Sequence, residues 1–404
     1  MSTSILYHGF GIIGYRYQKT DYKGGQVFFH IEQPRDKLRC PLCNARDVIL
    51  RGSIARRFRT IPIGEKPIWI VLDVQRVFCP ECQVVRQVKI QFADPKKRYT
   101  RQFERYVLGL SHFMTIKDIA NLLQTSWDTV KDIQMEKLQK QFSKPPLKDL
   151  ERIAIDEISI GKNHKYLTIV LDLESGAVVH VGDGKGSEAL DPFFKRLKYS
   201  KADIKAVAID MSPAYTAAVI ENLPSAKIVY DHFHLVKLFN DKLSDLRRQL
   251  YNECEVLEQK VVMKGTRWLL LKNEKNLNPE RNEKERLEKA LALNKPLATA
   301  YYLKEDFKQL WNKDDKEEAK DFLSFWIKKA MASGIGVLQK FARTVQGHSF
   351  GILAYFDHPI STGPLEGVNN KIKTLVKQAY GYRNMDFFKL KIKALHLSKY
   401  ALIG

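Results

Sequence analysis

Four of the five cysteines fall in two C-x-x-C pairs, Cys40-Pro-Leu-Cys43 and Cys79-Pro-Glu-Cys82, with 35 residues between Cys43 and Cys79. Each pair can present two thiolates from one tight turn, so the two pairs suit one tetrahedral Zn²⁺ ion. All four positions would be filled by sulfur, which predicts a structural zinc site, closed to substrate. Two paired motifs with no βαβ unit around them fit a thioredoxin-like redox site poorly. Cysteines used this way point to a reducing compartment and away from a disulfide framework. Cys254, alone in a helical stretch, is expected as a buried small hydrophobe.

The rest of the 404-residue chain must be organised around that site. Its length predicts two to three domains, and 44% apolar residues with 28% charged are enough for sizeable cores. No run approaches the roughly 18 apolar residues of a membrane span. The N-terminal MSTSILYHGF lacks a basic region followed by an apolar block, so no secretory signal is expected and the expected location is the cytoplasm. The net charge of +21 points to a polyanionic partner, with nucleic acid first. A protein that is merely basic remains the alternative on composition alone.

Residues 1–98 hold short β-like runs, such as 26–31 and 69–78, around the cysteine pairs. The stretch between the pairs reads as a basic loop carrying Arg51, Arg56, Arg57 and Arg59, which would contact phosphates or form a solvated face. Residues 101–142 read as helical. Thr115-x-x-Asp118 and Thr125-x-x-Asp128 are capping-box patterns ten residues apart, with a tight break at 124–126. That is helix-turn-helix spacing, and the second helix, near 127–141, offers Lys131 and Lys137 to phosphates and Gln134 to an adenine edge. An ordinary helical hairpin would show the same periodicity.

Beyond a Lys-Pro-Pro linker the pattern turns to strands at 153–155, 166–173, 177–181, 206–209 and 227–230, with helices near 188–197 and 213–221. From 232 to 360 the periodicity is helical, with Trp268, Trp311 and Trp326 expected in its core. A last helix starts near Leu365, after the breaker 361–364. Asp156 ends the first strand, Asp210 ends the fourth, and Glu366 opens the last helix. Three strands joined by short turns, then a helix, then two strands around a helix, fit an RNase H-like sheet. In that sheet the first and fourth strands are neighbours, which brings Asp156 and Asp210 together. Carboxylates so gathered repel one another unless divalent cations sit among them. Two Mg²⁺ (or Mn²⁺) ions there suit phosphoryl transfer. Asp231, just before His232 and His234, is either a helix cap or a residue supporting the metal ligands. Glu157 is expected to point away from Asp156.

With these residues in place, the chain resembles the ISL-three family of insertion-sequence transposases. The matching segments are 155–158 with 164–166, 170–173, 208–215, 230–234, 245–248, 267–273, the block STGPLEGVNNKIK at 361–373, and YGYRN at 380–384. The resemblance implies a DDE transposase with a retroviral-integrase-like core interrupted by a helical insertion. The catalytic acids carried over are Asp156, Asp210 and Glu366. The 155 residues between Asp210 and Glu366 are too many for a loop, in keeping with an inserted domain. The expected organisation is therefore multidomain α+β. A zinc ribbon occupies 1–98, a helix-turn-helix 99–146, the first part of the core 147–235, the helical insertion 236–358, and the last part of the core 359–404.

The resemblance implies binding of terminal inverted repeats by the zinc ribbon and helix-turn-helix, with two-metal cleavage and strand transfer into target DNA. Joining two ends implies a homodimer or larger assembly on DNA. Arg247, Arg248, Lys371, Lys373 and Arg383 are candidate phosphate contacts near the acids. Tyr380 and Tyr382 would stack on a flipped base or pack in a core. Two other functions share these motifs: a DNA-binding regulator without catalysis, and a stand-alone RNase H-like nuclease.

Overall fold

The computed structural model describes residues 4–161 and 165–396, so His164, part of one matching segment, lies outside the described residues. The chain divides into two compact units, one of Met1–Ser143 with Thr374–Gly404 and one of Lys144–Lys373. The last segment is thus split. Its C-terminal helix belongs with the helix-turn-helix, because its apolar face packs there.

In the first unit a short helix α1 (Ile5–His8) precedes strands β1 (Arg16–Lys23), β2 (Gln26–Glu32), β3 (Ile49–Ile63), β4 (Lys66–Cys79) and β5 (Val84–Gln87). The sheet order is β1-β2-β4-β3, with β5 also paired to β4. The stretch expected as a basic loop around residues 51–59 is instead β3, which forms a long antiparallel hairpin with β4, the strand expected at 69–78. In β4, Ile68, Ile70, Leu72 and Val74 alternate into the core with Phe58 of β3. The arginine-rich stretch of β3 is largely exposed up to Arg57 and buries Phe58, Arg59 and Thr60 in succession, so no alternation marks it as a strand.

Helices α2 (Arg101–Leu110), α3 (Ile116–Leu122) and α4 (Trp127–Phe142) follow. Thr115 caps α3, as its pattern predicts, while α4 is capped by Ser126 rather than Thr125, its hydroxyl accepting from the Thr129 N–H. Gln124, in a left-handed conformation (φ 47°), makes the break between them. Phe387 of the C-terminal helix α16 (Met385–Ala394) completes the apolar core formed by Phe103, Val107, Ile119, Val130 and Ile133.

The second unit contains β6 (Arg152–Ser159), β7 (Tyr166–Asp172), β8 (Val178–Asp183), α5 (Asp191–Lys198), β9 (Ala206–Ile209), α6 (Pro213–Asn222) and β10 (Lys227–Tyr230). The sheet order is β10-β9-β6-β7-β8. The β6–β7–β8 meander is antiparallel, and β9 and β10 are parallel to β6. This is the RNase H-like arrangement expected from the order of elements, with the first and fourth strands side by side.

Eight helices follow before the last core helix: α7 (His232–Glu253), α8 (Leu257–Lys264), α9 (Arg267–Leu271), α10 (Glu283–Leu293), α11 (Lys295–Lys308), α12 (Lys316–Ala332), α13 (Gly336–Gly347) and α14 (Ser349–Leu353). Phe239, Phe307, Trp326 and Phe341 form their aromatic centre, continuous with the core of the sheet. Trp326 is buried and Trp311 packs at the margin, but Trp268 is 67% exposed, because only Leu269 and Leu270 of its short helix turn inward. Gly351 seats α14 on β10: a Cβ there would lie 2.4 Å from the Tyr230 ring. Helix α15 (Gly363–Gln378) follows. Cys254 is not buried in a helix. It follows α7, half-exposed, with its thiol directed at the Val256 carbonyl and the Gln259 side chain.

Candidate active site and nucleic-acid interface

Asp156 does not end its strand. It lies inside β6, which continues to Ser159 as the partner of β7. What ends near Asp156 is the pairing of β6 with β9, whose last register pair is Ala154 and Ala208. Two residues further on, Asp156 and Asp210 stand level on adjacent parallel strands. Alternation puts both on the face opposite Ile153, Ile155, Val207 and Ile209, which point into the main core. On β10, Tyr230 pairs with Ile209, and the Asp231 N–H donates to the Ile209 carbonyl at 3.0 Å. Asp231 therefore stands level with Asp210, and three aspartates form a row across β6, β9 and β10.

The row differs in environment from one end to the other. Asp156 is half-buried, and burial pushes its carboxyl above the ordinary range. The Asp210 charge adds to that effect, while His234, the Glu157 N–H and the Asn369 amide oppose it. Glu157, expected to face away, is still raised by its own burial and then by the charges of Asp210 and Asp156. Asp231 is buried. Its burial works against ionisation, yet hydrogen bonds from His234 and Thr362 hold the carboxyl below its usual range. His234 Nδ1 lies 2.9 Å from Asp231 Oδ2, and that bond, with the charges of Asp156 and Asp210, keeps the imidazole more basic than usual despite burial. Asp231 also accepts from the Phe233 N–H at the start of α7. It is thus a helix cap that also bonds His234 and Thr362.

Glu366 sits in the first turn of α15, exposed to solvent. Thr362, Glu366 and Asn369 follow the i, i+4, i+7 spacing of one helix face. The two ends of that stripe are bonded to the aspartate row: the Thr362 hydroxyl donates to Asp231, and Asn369 Nδ2 donates to Asp156 Oδ2 at 3.0 Å. Glu366 lies between these tethers. The sequence reading names neither Thr362 nor Asn369, although their helical spacing from Glu366 is a usable signal. Among the described residues, only the four cysteines bring three or more possible ligand atoms within 4.8 Å of one another. The carboxylates are a more open arrangement.

The cysteines fit zinc closely. Cys40 and Cys82 sulfurs are 3.9 Å apart, and Cys43 and Cys79 sulfurs 3.5 Å. A tetrahedron with Zn–S near 2.3 Å has edges of about 3.8 Å. Both knuckles use the same turn: the Asn44 N–H donates to the Cys40 carbonyl and the Gln83 N–H to that of Cys79, with Asn44 and Gln83 in the left-handed region. The Cys43 N–H holds the Cys40 thiol down at about 6 against the effect of burial.

Several basic candidates change role. Arg59 is 5% exposed, donates to the Leu123 carbonyl at 2.6 Å, and lies over the Trp69 and Phe103 rings, so it joins the hairpin to the helices and does not face DNA. Burial pulls its pKa down to about 10. Gln134, 4% exposed, donates to the Ser111 hydroxyl and cannot read a base, because α4 turns it into the helical core. Arg56 donates to the Lys97 carbonyl and lies over Phe58. Arg247 is half-buried and donates to the Met263 carbonyl. Arg57, Lys137, Arg248, Lys371, Lys373 and Arg383 are exposed, and Lys131 is partly covered beside Trp127.

A tetrathiolate ribbon, a helix-turn-helix and an RNase H-like sheet edged with acids define a DNA-processing enzyme of the transposase class. Comparison with known families makes this specific. A family described as transposase matches residues 153–392, the helix-turn-helix domain of transposase family ISL3 matches 88–135, and the zinc-finger of transposase IS204/IS1001/IS1096/IS1165 matches 36–82. The chain belongs to the ISL3 transposase family. It is 32% identical to the transposase for insertion sequence element IS1001 of Bordetella parapertussis, over 94% of this chain and 95% of that one. It is 28% identical to the transposase for insertion sequence element IS1557 of Mycobacterium tuberculosis, over 83% and 80%. Among solved structures, the Drosophila P element transposase strand transfer complex is similar at a TM-score of 0.37 and 11% identity, covering 74% of this chain and 93% of that one. That likeness is too slight to carry an argument. No helix among the described residues is long and apolar enough to cross a membrane.

Proposed function

We propose that this transposase cuts DNA at the terminal inverted repeats of its own element and joins the freed 3′ ends to target DNA, using Asp156, Asp210 and Glu366 as its catalytic acids. The observation that carries this reading is the level placement of Asp156 and Asp210 on adjacent parallel strands, with Glu366 in the first turn of a helix whose start is bonded to the same row through Thr362 and Asn369, on either side of Glu366. A half-buried carboxylate whose neighbour's charge raises it further is a site that favours divalent cations. All-oxygen donors suit Mg²⁺ or Mn²⁺. When bound by these acids, two such ions supply Lewis-acid stabilisation of the oxygens that enter and leave phosphorus.

The chain's own residues orient that chemistry. Asn369 fixes the rotamer of Asp156. Asp231, through Thr362, sets where α15 begins and so where Glu366 can reach. His234, made more basic by Asp231, brings positive charge beside the acids and can hold a phosphate oxygen. The zinc ribbon and helix-turn-helix bind the repeats, and Arg57, Lys131, Lys137, Arg248, Lys371, Lys373 and Arg383 are positioned for phosphates. Two ends joined in one event require a homodimer or larger on DNA. The enzyme works in the bacterial cytoplasm, where its DNA lies.

Cleavage of a labelled terminal-repeat duplex in Mg²⁺ tests this, with binding measured in parallel. Wild type is expected to cut at the repeat boundary, and Asp210→Asn to lose about 10³-fold or more in rate while binding within twofold of wild type. Cutting that ignores the repeats would instead favour a stand-alone nuclease. Binding without cutting by either protein, with paired ends and Mn²⁺, would favour a regulator.

A further inference from the structure

Beside α4 the first unit has a concavity of about 900 Å³, and the segment between α15 and α16 forms one wall of it. From the helix-turn-helix it is lined by Lys117, Trp127 and Lys131, and from that segment by Tyr380, Tyr382 and Arg383. None of the residues lining it is acidic.

The aromatic residues divide into two kinds. Tyr382 stacks on Phe388 with ring centres 4.5 Å apart and joins the helical core, so it forms part of the wall. Tyr380 is 100% exposed. It holds a left-handed backbone (φ 52°) followed by Gly381 at φ 97°, and the turn is closed by the Gly381 N–H on the Val376 carbonyl. A tyrosine pays for that conformation with no packing in return, so the turn's effect is to project the ring outward. Opposite, Trp127 at the start of α4 is half-exposed, with Lys131 Nζ 5.6 Å from its ring centre. Paired DNA shows base edges to a protein, because base faces are covered by stacking. Two exposed aromatic faces among three cations match an unpaired base with phosphates on either side of it.

We propose that this concavity receives an unpaired base of the DNA that the helix-turn-helix holds. Tyr380 and Trp127 give the base its stacking surfaces, and Lys117, Lys131 and Arg383 hold the flanking phosphates. The proposal rests on DNA being the substrate and needs no catalytic step.

The test uses the full chain and two duplexes of one terminal-repeat sequence, one fully paired and one with a single unpaired 2-aminopurine. Wild type is expected to bind the unpaired duplex about tenfold tighter, from stacking of one base, and to quench its fluorescence. Tyr380→Ala is expected to lose the preference and the quenching while binding the paired duplex normally, and Tyr380→Phe to keep both. Because the side chain is fully exposed, neither variant threatens folding. Equal binding of the two duplexes by wild type, or a preference that survives in Tyr380→Ala, overturns the proposal. Asp210→Asn separates this site from the catalytic one: it should keep the preference while losing cleavage.

Discussion

Four thiols near the N-terminus and three aspartates in the second unit each gather negative charge, but the backbone gathers them differently. The thiols sit on two copies of one turn, and their sulfurs already stand at nearly the edge length of a zinc tetrahedron. Nothing but an ion belongs in the middle. The aspartates stand in a row set by strand register, with one end satisfied by hydrogen bonds and the other left half-buried and electrostatically uncomfortable. A structural site is finished by its metal. A catalytic site, which we propose the row to be, must keep room for substrate, so its protein half is left short of donors.

Metal removal should expose this difference most. Stripping zinc with a chelator, or Cys79→Ser, is expected to unfold the β3–β4 end of the first unit, since a structural zinc contributes on the order of 10 kcal/mol. Near-ultraviolet circular dichroism and limited proteolysis would show it, with the fragment of 144–373 staying protected. If the ribbon keeps its structure without metal, the two sites are more alike than the geometry says.

The second site should respond in the opposite sense. Asp156→Asn is expected to abolish cleavage yet raise the melting temperature of the metal-free protein by about 2–4 °C, on the order of 1 kcal/mol for a domain of this size. The pH dependence gives the sign independently. The folded pKa of Asp156 lies above its unfolded value. Between the two the native state holds the extra proton, so stability falls as pH rises through that window. The variant should lack this fall, and Mg²⁺ should raise the wild-type melting temperature but not the variant's.

Thr362→Val tests whether α15 is held by the row. It removes the hydroxyl on Asp231 without touching Glu366. We expect cleavage to drop about 10- to 100-fold, the usual cost of losing support for a metal ligand, with unchanged DNA binding and a higher Mg²⁺ requirement. A loss of rate with no change in metal requirement would mean that the helix is positioned by packing alone.

Much of this was legible in the sequence. The cysteine pairs, the Thr115 cap, the five core strands and the acids after Ile209 and in the first turn of α15 all have local signals. The misreadings share a cause: one face of an element was read without the other. The exposed, arginine-rich first part of β3 shows no alternation, so one arm of the hairpin reads as a loop. Gln134 stands four residues from both Val130 and Leu138, on the apolar stripe of α4, so the helix turns it into the core, where its amide bonds Ser111. The tethers from Thr362 and Asn369 join residues 131 and 213 positions apart, a relation that local pattern cannot carry.

That lesson sets the smallest effect worth measuring. Lys137 and Gln134 lie on one helix and are both expected as DNA contacts from the sequence, yet one is exposed and the other buried. Lys137→Ala should leave stability unchanged, weaken binding to all duplexes alike, and reduce the magnitude of the salt slope by about 1, the signature of one lost phosphate contact. Gln134→Ala should do the reverse. It leaves the Ser111 hydroxyl without its donor and costs about 1 kcal/mol of stability, with base preference and salt slope as in wild type. If Gln134→Ala instead relaxed specificity at an adenine, α4 would have to present a different face to DNA than the one its core packing leaves free.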